Sequence, residues 1–432
     1  MLSGDALRRL IVLMFTAFVD MLGSSIIFSQ LPFYAQRYGA AAWQVGILIS
    51  SFFLAQLVTA PLWGRFSDTR GRRPAILAGL LMSGLAFALF GLASTETAHS
   101  LLGGSDWARR ALGNSDALIL GVLMLMRLAQ GVGGGTVSVV QAYVSDSSAP
   151  KDRAMALGWV TAAISAGVLI GPQLGSLSFR FGAATPGLVA ASLCALNFLS
   201  ALTWLPESLD RSTPSPEPGR PRFSLRQESR DLLARPGSPA GTLMWTYTFG
   251  MLAFFSLNGV IGLYLKDVFH FTEVTIGNFF TYVAVISLVS RAAIIGLAVR
   301  AVGEVATLRL GALAIALGML TIPLAHNLPA LALTAIFMPL GTALLFPATT
   351  SLISQQYEAH DTGKALGVQQ AFGGAARVVA PLWATWAYQF DRTLPFWITG
   401  GFMVLVCAYT LRVRPDEMRK AATPEAAAGG AG

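Results

Sequence analysis

Charge is what this chain has least of. Asp, Glu, Lys and Arg make up 12% of its 432 residues, about half the ~25% of an average soluble domain. Hydrophobic residues make up 54%, and a water-soluble globular fold does not survive that balance. Cysteine is equally scarce. Cys194 and Cys407 are the two present; both lie inside apolar runs, so neither a disulfide framework nor a metal site is expected. No G-x-x-x-x-G-K-[ST] motif occurs, because the single Gly-Lys pair, Gly363-Lys364, is followed by Ala365. Work driven by ATP bound to this chain is therefore not expected, and no cofactor is. A cleavable signal peptide is also missing: the apolar run after Arg9 continues to about Gln36, too long for an h-region.

What the chain has instead is long apolar runs. A run of about 20 such residues spans a bilayer as a helix. The charges separate spans near 10–36, 43–64, 74–94, 117–144, 155–178, 184–204, 240–266, 272–299, 306–325, 329–355, 363–388 and 393–411. The interval from Leu310 to Tyr357 carries no charge and is long enough for two helices; His326-Asn327-Leu328-Pro329 supplies the break. Twelve spans put both termini on one side. Of the Lys and Arg residues outside the membrane, in loops, tails or at span ends, 21 fall on that side and six, Arg37, Arg109, Arg110, Arg180, Lys266 and Arg392, fall opposite. Positive charge is retained in the cytoplasm, so both termini are expected there, in a multi-pass protein of the plasma membrane (the inner membrane of a bacterium). The same bias accounts for most of the net charge of +8 without a nucleic-acid partner.

The expected organisation is an N-terminal six-helix bundle at 1–205, a cytoplasmic linker at 206–239, a C-terminal six-helix bundle at 240–412 and a disordered tail at 413–432. An extended exoplasmic loop is expected at 95–116. The two bundles repeat. Tyr34, Gly46, Gly64 and Gly71 recur as Tyr264, Gly277, Gly296 and Gly303, at offsets of 230 to 232. Asp152, Ala156, Leu157, Gly158 and Pro172 recur as Asp361, Ala365, Leu366, Gly367 and Pro381, all at 209. The registers differ by roughly the length of the extra loop. Parallel repeats of this kind are the architecture of secondary transporters.

The densest charge in the first bundle lies between spans 2 and 3, in Gly64-Arg-Phe-Ser-Asp68-Thr-Arg70-Gly71-Arg72-Arg73-Pro74. It reads as a tight basic turn, with Gly64 and Gly71 letting the backbone bend and helix ends approach. Positive-inside bias alone asks only for a basic loop. The order Gly-x-x-x-Asp-x-x-Gly-Arg-Arg is more specific and resembles the signature loop of the major facilitator superfamily.

Deep within the spans four charges remain: Asp20, Arg127, Arg291 and Arg377. Ionisable groups at bilayer depth are costly and usually line polar cavities. Asp20 lies about 10 residues into span 1, roughly 15 Å at the helical rise. Arg127 reaches a similar depth from the other side, so the two are able to pair near the midplane. One reading is a static ion pair. The other is a proton carrier, since burial favours the neutral carboxyl and an approaching arginine favours the ionised one. None of the four has a charged counterpart in the other repeat, which points to function rather than folding.

Two glycine motifs accompany them. Arg127-Leu-Ala-Gln130-Gly131-Val-Gly133-Gly134-Gly135 thins one side of span 4 for close packing. Gly167-Val-Leu-Ile-Gly171-Pro172-Gln-Leu-Gly175 gives span 5 a smooth face interrupted by proline. Together with Asp20, Pro32 and the signature loop, these motifs look like the drug:proton antiporter branch of the superfamily. The N-terminal half is most similar to tetracycline exporters, including Ala142-Tyr143-Val144-Ser145-Asp146. The resemblance implies an all-α membrane fold of twelve helices in two bundles. It implies that Asp68 caps span 11 and Arg72 pairs with Asp146 as a conformational latch with Gly64 and Gly71. It further implies that Gly167, Gly171, Pro172 and Gly175 form the antiporter motif and that Arg127 couples protons.

The second half departs from that pattern. Spans 7 to 12 hold no buried acid, and Arg291 and Arg377 stand there instead. Gln130, Arg291 and Arg377 are candidates to line the substrate cavity; Phe254, Phe255, Trp383 and Trp386 lie at suitable depth but serve as well as lipid-facing aromatics. The expectation is a monomeric, non-enzymatic transporter with no metal and no nucleic acid. Its partners are the bilayer, protons and a small amphipathic compound that it exports. An organic anion or zwitterion held by Arg291 and Arg377 is the alternative substrate, and a non-transporting receptor or scaffold is the alternative class.

Overall fold

The computed structural model describes residues 4–95, 115–148, 152–208, 235–357 and 359–413. The expected loop at 95–116, linker at 206–239 and tail at 413–432 lie almost wholly outside these residues. Among the described residues all regular structure is helical. Fourteen α-helices appear, α1 (Gly4–Arg37), α2 (Ala42–Arg70), α3 (Arg72–Ala93), α4 (Ser115–Gly134), α5 (Val137–Ser147), α6 (Arg153–Phe179) and α7 (Thr185–Trp204), then α8 (Pro239–Phe269), α9 (Ile276–Val289), α10 (Ile295–Thr321), α11 (Leu328–Ala335), α12 (Phe337–Ser354), α13 (Ala359–Tyr388) and α14 (Leu394–Tyr409).

Their grouping gives twelve membrane crossings. Ten stretches are long and apolar enough to cross a bilayer. One of them, Ile276–Leu324, has 49 residues, far beyond the ~20 a single crossing needs. It turns at Gly303, whose φ of 81° leaves the helical region, and so makes two. The 30-residue α13 carries Asp361, Lys364 and Arg377, which lower its hydropathy, and makes the twelfth. Span 4 is built from α4 and α5, parted at Gly135 and Thr136. Span 10 is built from α11 and α12 and starts where the sequence break lies: the Asn327 side chain accepts from Ala330 N at 2.8 Å, a helix N-cap, followed by Pro329 in the first turn.

The signature stretch differs from the tight turn expected. Helix α2 continues through Arg65–Arg70, and Gly71 alone, at φ 116° and ψ 157°, breaks the path into α3. Nothing lies within 4 Å of a Cβ placed on Gly64, so that glycine neither bends the chain nor admits a neighbour. The helix persists to Arg70 and closes with Gly71 N donating to Ser67 O at 3.1 Å, where the glycine takes a positive φ that ends the backbone ladder.

The chain divides into two compact units, one holding Met1–Pro216 with Gly262–Tyr282 and the other Glu217–Ile261 with Val283–Gly432. In the first unit Gln30 and Ser176 hold the start of α9 and the residues before it. Gln30 Nε2 donates to Ser176 Oγ at 3.1 Å and to Glu273 O at 3.0 Å. Ser176 Oγ in turn donates to Glu273 O at 2.8 Å and accepts from Gly277 N at 2.9 Å. The core of this unit packs Leu13, Ala17, Ile76, Leu80, Val140 and Tyr143. That of the second packs Leu243, Met244, Leu308, Leu352, Ile353 and Val368. Leu81, Leu85, Leu89 and Leu92 form a row along α3, each at least half exposed. One helix face of bare leucine suits lipid and would be a liability in water.

Candidate functional site

Helix α1 carries different business on different faces. One face packs on α6, and glycine makes the approach possible. A Cβ on Gly167 would meet Phe18 O at 2.5 Å, and one on Gly171 would meet Ser25 Cβ at 2.6 Å and Leu22 O at 2.9 Å. The spacing of four residues brings each glycine to the same side of α6. Gly175 lies a turn further on, its Cβ position 3.2 Å from Ile26 O. Pro172 sits within α6, and its carbonyl oxygen lies 2.8 Å from where a Cβ on Gly277 would be.

A second face of α1 meets α7. The Gly23 Cβ position lies 3.5 Å from Ala190 Cβ, and two turns away Thr16 Oγ1 donates to Asn197 Oδ1 at 3.1 Å. Asp20 falls between these points, on the same face of α1 as Thr16 and Gly23. The carboxyl is 5% exposed and its Oδ2 is buried without a hydrogen-bond partner. So is Nδ2 of Asn197. Asp20 thus faces neither lipid nor either aqueous surface, but the interior of the first bundle.

Arg127 does not pair with it: among the described residues no ion pair joins Asp20 to Arg127. The guanidinium, 1% exposed, donates from Nη1 to Gln130 Oε1 at 2.5 Å and from Nε to Leu48 O at 3.3 Å. It lies over the Phe52 ring, 4.6 Å from the centroid. Gln130 Nε2 then reaches Ser24 Oγ at 3.4 Å, one helical turn from Asp20. The two charges assigned to one pair are therefore held apart: the bonds from Arg127 end at Leu48 O and, through Gln130, at Ser24, a turn along α1 from the acid. The reason is packing: Gly131 of α4 rides on Phe52 O and Ala55 Cβ, with its Cβ position 2.3 and 2.8 Å away. That contact seats α4 against α2 and turns Arg127 toward the α2 backbone.

At the start of α3, Arg72 gathers the polar groups of the latch. Its Nε donates to Asp146 Oδ2 at 3.0 Å, and its Nη1 donates to Asp68 Oδ1 at 2.5 Å and to Ser67 Oγ at 2.7 Å. The Asp68 side chain remains 63% exposed. Glu207 completes the cluster and was not foreseen. Its carboxylate accepts from Arg72 N at 2.8 Å and Arg73 N at 3.2 Å, an acid placed on a helix N-terminus. It occupies the space a side chain at residue 71 would need, its Oε2 lying 2.3 Å from the Gly71 Cβ position.

In the second unit the two arginines stand in different settings. Arg291 lies in a π-helical turn, Ser290–Ile294, and its Nε donates to Ser287 Oγ at 3.4 Å. Arg377 on α13 lies over Phe255, 5.6 Å from the ring centroid, beside the Tyr247 hydroxyl. Of the aromatic candidates, Trp383 points inward and donates to Ser256 Oγ at 2.9 Å, and Phe254 packs edge-on against Phe255. Trp386 is 59% exposed, as a membrane-belt aromatic would be. Asn197 went unnamed in the sequence, although it is the one amide of span 6. Tyr247 and Glu207 carried no signal beyond their residue type.

The comparisons agree with one another. The Major Facilitator Superfamily model matches residues 13–306 and 243–430. Multidrug resistance protein 2 of Bacillus subtilis is 25% identical over 407 residues, covering 93% of this chain and 94% of its own. The class C tetracycline resistance protein of Escherichia coli is 24% identical over 423 residues, covering 94% and 96%. Among solved structures, the human organic anion transporter MFSD10 superposes with a TM-score of 0.66 at 21% identity, covering 94% of this chain and 99% of that one. Twelve membrane crossings, two duplicated bundles and relatives matched over nearly the whole chain make it a member of the Major Facilitator Superfamily, a multi-pass membrane transporter of the drug-exporter type.

Proposed function

We propose that this protein is a proton-coupled antiporter of the plasma membrane that exports small amphipathic compounds by alternating access. The observation that carries this reading is the Asp20 carboxyl, buried in the first bundle with Oδ2 unsatisfied. An ionised carboxylate without a counter-charge or full hydrogen bonding is expensive to bury. The surroundings of Asp20 therefore suit a carboxyl that holds a proton. Arg127, tied to Gln130 and the Leu48 carbonyl, stands behind an amide that reaches Ser24, one turn along α1 from the carboxyl. If those bonds exchange for Asp20 as the bundles move, the carboxyl gains a counter-charge and releases its proton. Gln130 is then a spacer between the two charges, and Arg127 sets when the proton leaves. The relatives named for multidrug and tetracycline resistance support the choice of substrate class and the outward direction.

The test is uptake of tetracycline and other amphipathic antibiotics into inverted vesicles under an imposed pH gradient. Asp20→Asn is expected to bind substrate and to exchange it across the membrane without a gradient, while gradient-driven accumulation falls to background. Wild-type accumulation by this variant would remove Asp20 from the coupling step.

A further inference from the structure

The second unit contains a polar site that proton coupling leaves unused. Arg377 is the cation of α13 at bilayer depth, and no acid among the described residues forms an ion pair with it. Its Nε is buried and lacks a hydrogen-bond partner. The Phe255 ring 5.6 Å from the guanidinium offers a face but no acceptor. What surrounds the arginine is arranged rather than incidental. Gln370, Gly373 and Arg377 recur at three- and four-residue spacing and so share one face of α13. Tyr247 and Met251 face them from α8 and pack with Ala376. Gly373 is what lets the Tyr247 ring lie between the two polar residues, since a Cβ there would sit 2.9 Å from Tyr247 Cε1. The Tyr247 hydroxyl accepts from Gln370 Nε2 at 3.4 Å and stands beside the guanidinium. Phe346 of α12 closes the aromatic side, its ring centroid 5.4 Å from that of Tyr247 and 6.4 Å from that of Phe254. Arg291 is not part of this cluster.

We propose that Arg377, Tyr247 and Gln370, floored by Phe255 and Phe346, form a subsite for the anionic group of the transported compound, which makes the substrate an aromatic anion or zwitterion. A half-buried guanidinium set among aromatic rings is stabilised chiefly by an anion, and its planar donor edge matches a carboxylate. The phenol and the amide add neutral donors, and the aromatic rings receive an apolar body. This deepens the antiporter reading and rests on it for the transport step, but the binding event is separate from the proton site.

The test is binding to the purified full-length protein in lipid nanodiscs, with three probes of one shape: 1-naphthoate, 1-naphthamide and 1-naphthylmethylammonium. Naphthoate is expected to bind at least about tenfold tighter than the amide, the scale of one charge-assisted contact, and the ammonium weakest. Arg377→Gln is expected to erase the preference for naphthoate over naphthamide, and Arg377→Lys to keep part of it. Tyr247→Phe, which preserves the ring and the packing, is expected to weaken naphthoate alone by severalfold. Equal binding of naphthoate and naphthamide by the wild type overturns the subsite. So does an undiminished preference in Tyr247→Phe together with either arginine variant. Asp20→Asn separates the two proposals. It is expected to bind naphthoate as the wild type does, so a failure of proton coupling leaves this result standing, and a failure here leaves coupling standing.

Discussion

Two buried polar atoms a few residues apart on facing helices, Oδ2 of Asp20 and Nδ2 of Asn197, have no partner. In a membrane interior such an omission is unusual, because no solvent is available to make it good. Asn197 spends its carbonyl oxygen on Thr16 and leaves its amide donor free one turn from a carboxyl that lacks a donor. Asn197→Ala removes the hydrogen bond that ties Thr16 to α7, and it should lower stability by about 0.5–2 kcal/mol, read as a fall in the melting temperature of the purified protein. It should also shift the pH dependence of transport, since an unpaired donor on the α7 face that α1 packs against is gone. A variant with unchanged stability and an unchanged pH profile would show that the amide serves neither end. Arg127 teaches the complementary point. Its depth was readable from the sequence, but its direction depended on Gly131 riding over the Phe52 carbonyl.

Among the elements, the two signature turns provide a controlled comparison built by duplication. Gly71 and Gly303 occupy equivalent positions in the repeat, and both adopt positive φ, 116° and 81°. Gly64 and Gly296 also match, each with nothing within 4 Å of its Cβ position. The duplicated backbone has survived while the charges around it have diverged. At the first turn Arg72 joins Asp68 and Asp146. At the second, Glu304 accepts from Ser351 Oγ at 2.8 Å and Gln355 Nε2 at 2.7 Å. Gly303→Ala meets open space and should cost only the left-handed strain, about 1–2 kcal/mol. Gly71→Ala carries the same strain and must also expel Glu207 from the α3 N-terminus, so it should cost about 1 kcal/mol more. Thermal unfolding of the two variants checks the order; equal losses would mean that Glu207 adds nothing to the turn.

For the whole molecule, the asymmetry of arginine and lysine makes a prediction about sidedness. With Cys194 and Cys407 replaced, Thr69→Cys should react with an impermeant maleimide only in inverted vesicles, and Phe181→Cys, whose native residue is 84% exposed, only in intact cells. The reverse pattern would turn the topology over. Most of the architecture was open to reading from the chain alone. Span boundaries, the break at Asn327, the glycine face of α6 and the internal repeat depend on local composition and on backbone bonds that each helix satisfies within itself in lipid. The span-4 break at Gly135, the run of α2 through Arg70 and the packing of Glu273 and Gly277 on α1 and α6 were not readable in that way. They depend on which helix covers which, as with the grip of Gln30 and Ser176 on the Glu273 carbonyl. The same division holds at the site. Sequence placed Asp20, Arg127 and Arg377 in the membrane, because an ionisable residue in an apolar run is visible at once. Tertiary structure decided that Asp20 faces α7, that Arg127 holds Gln130 instead of the acid, and that Tyr247 stands beside Arg377. A side chain's partner is chosen by the rotation and approach of packed helices, and no single helix encodes either.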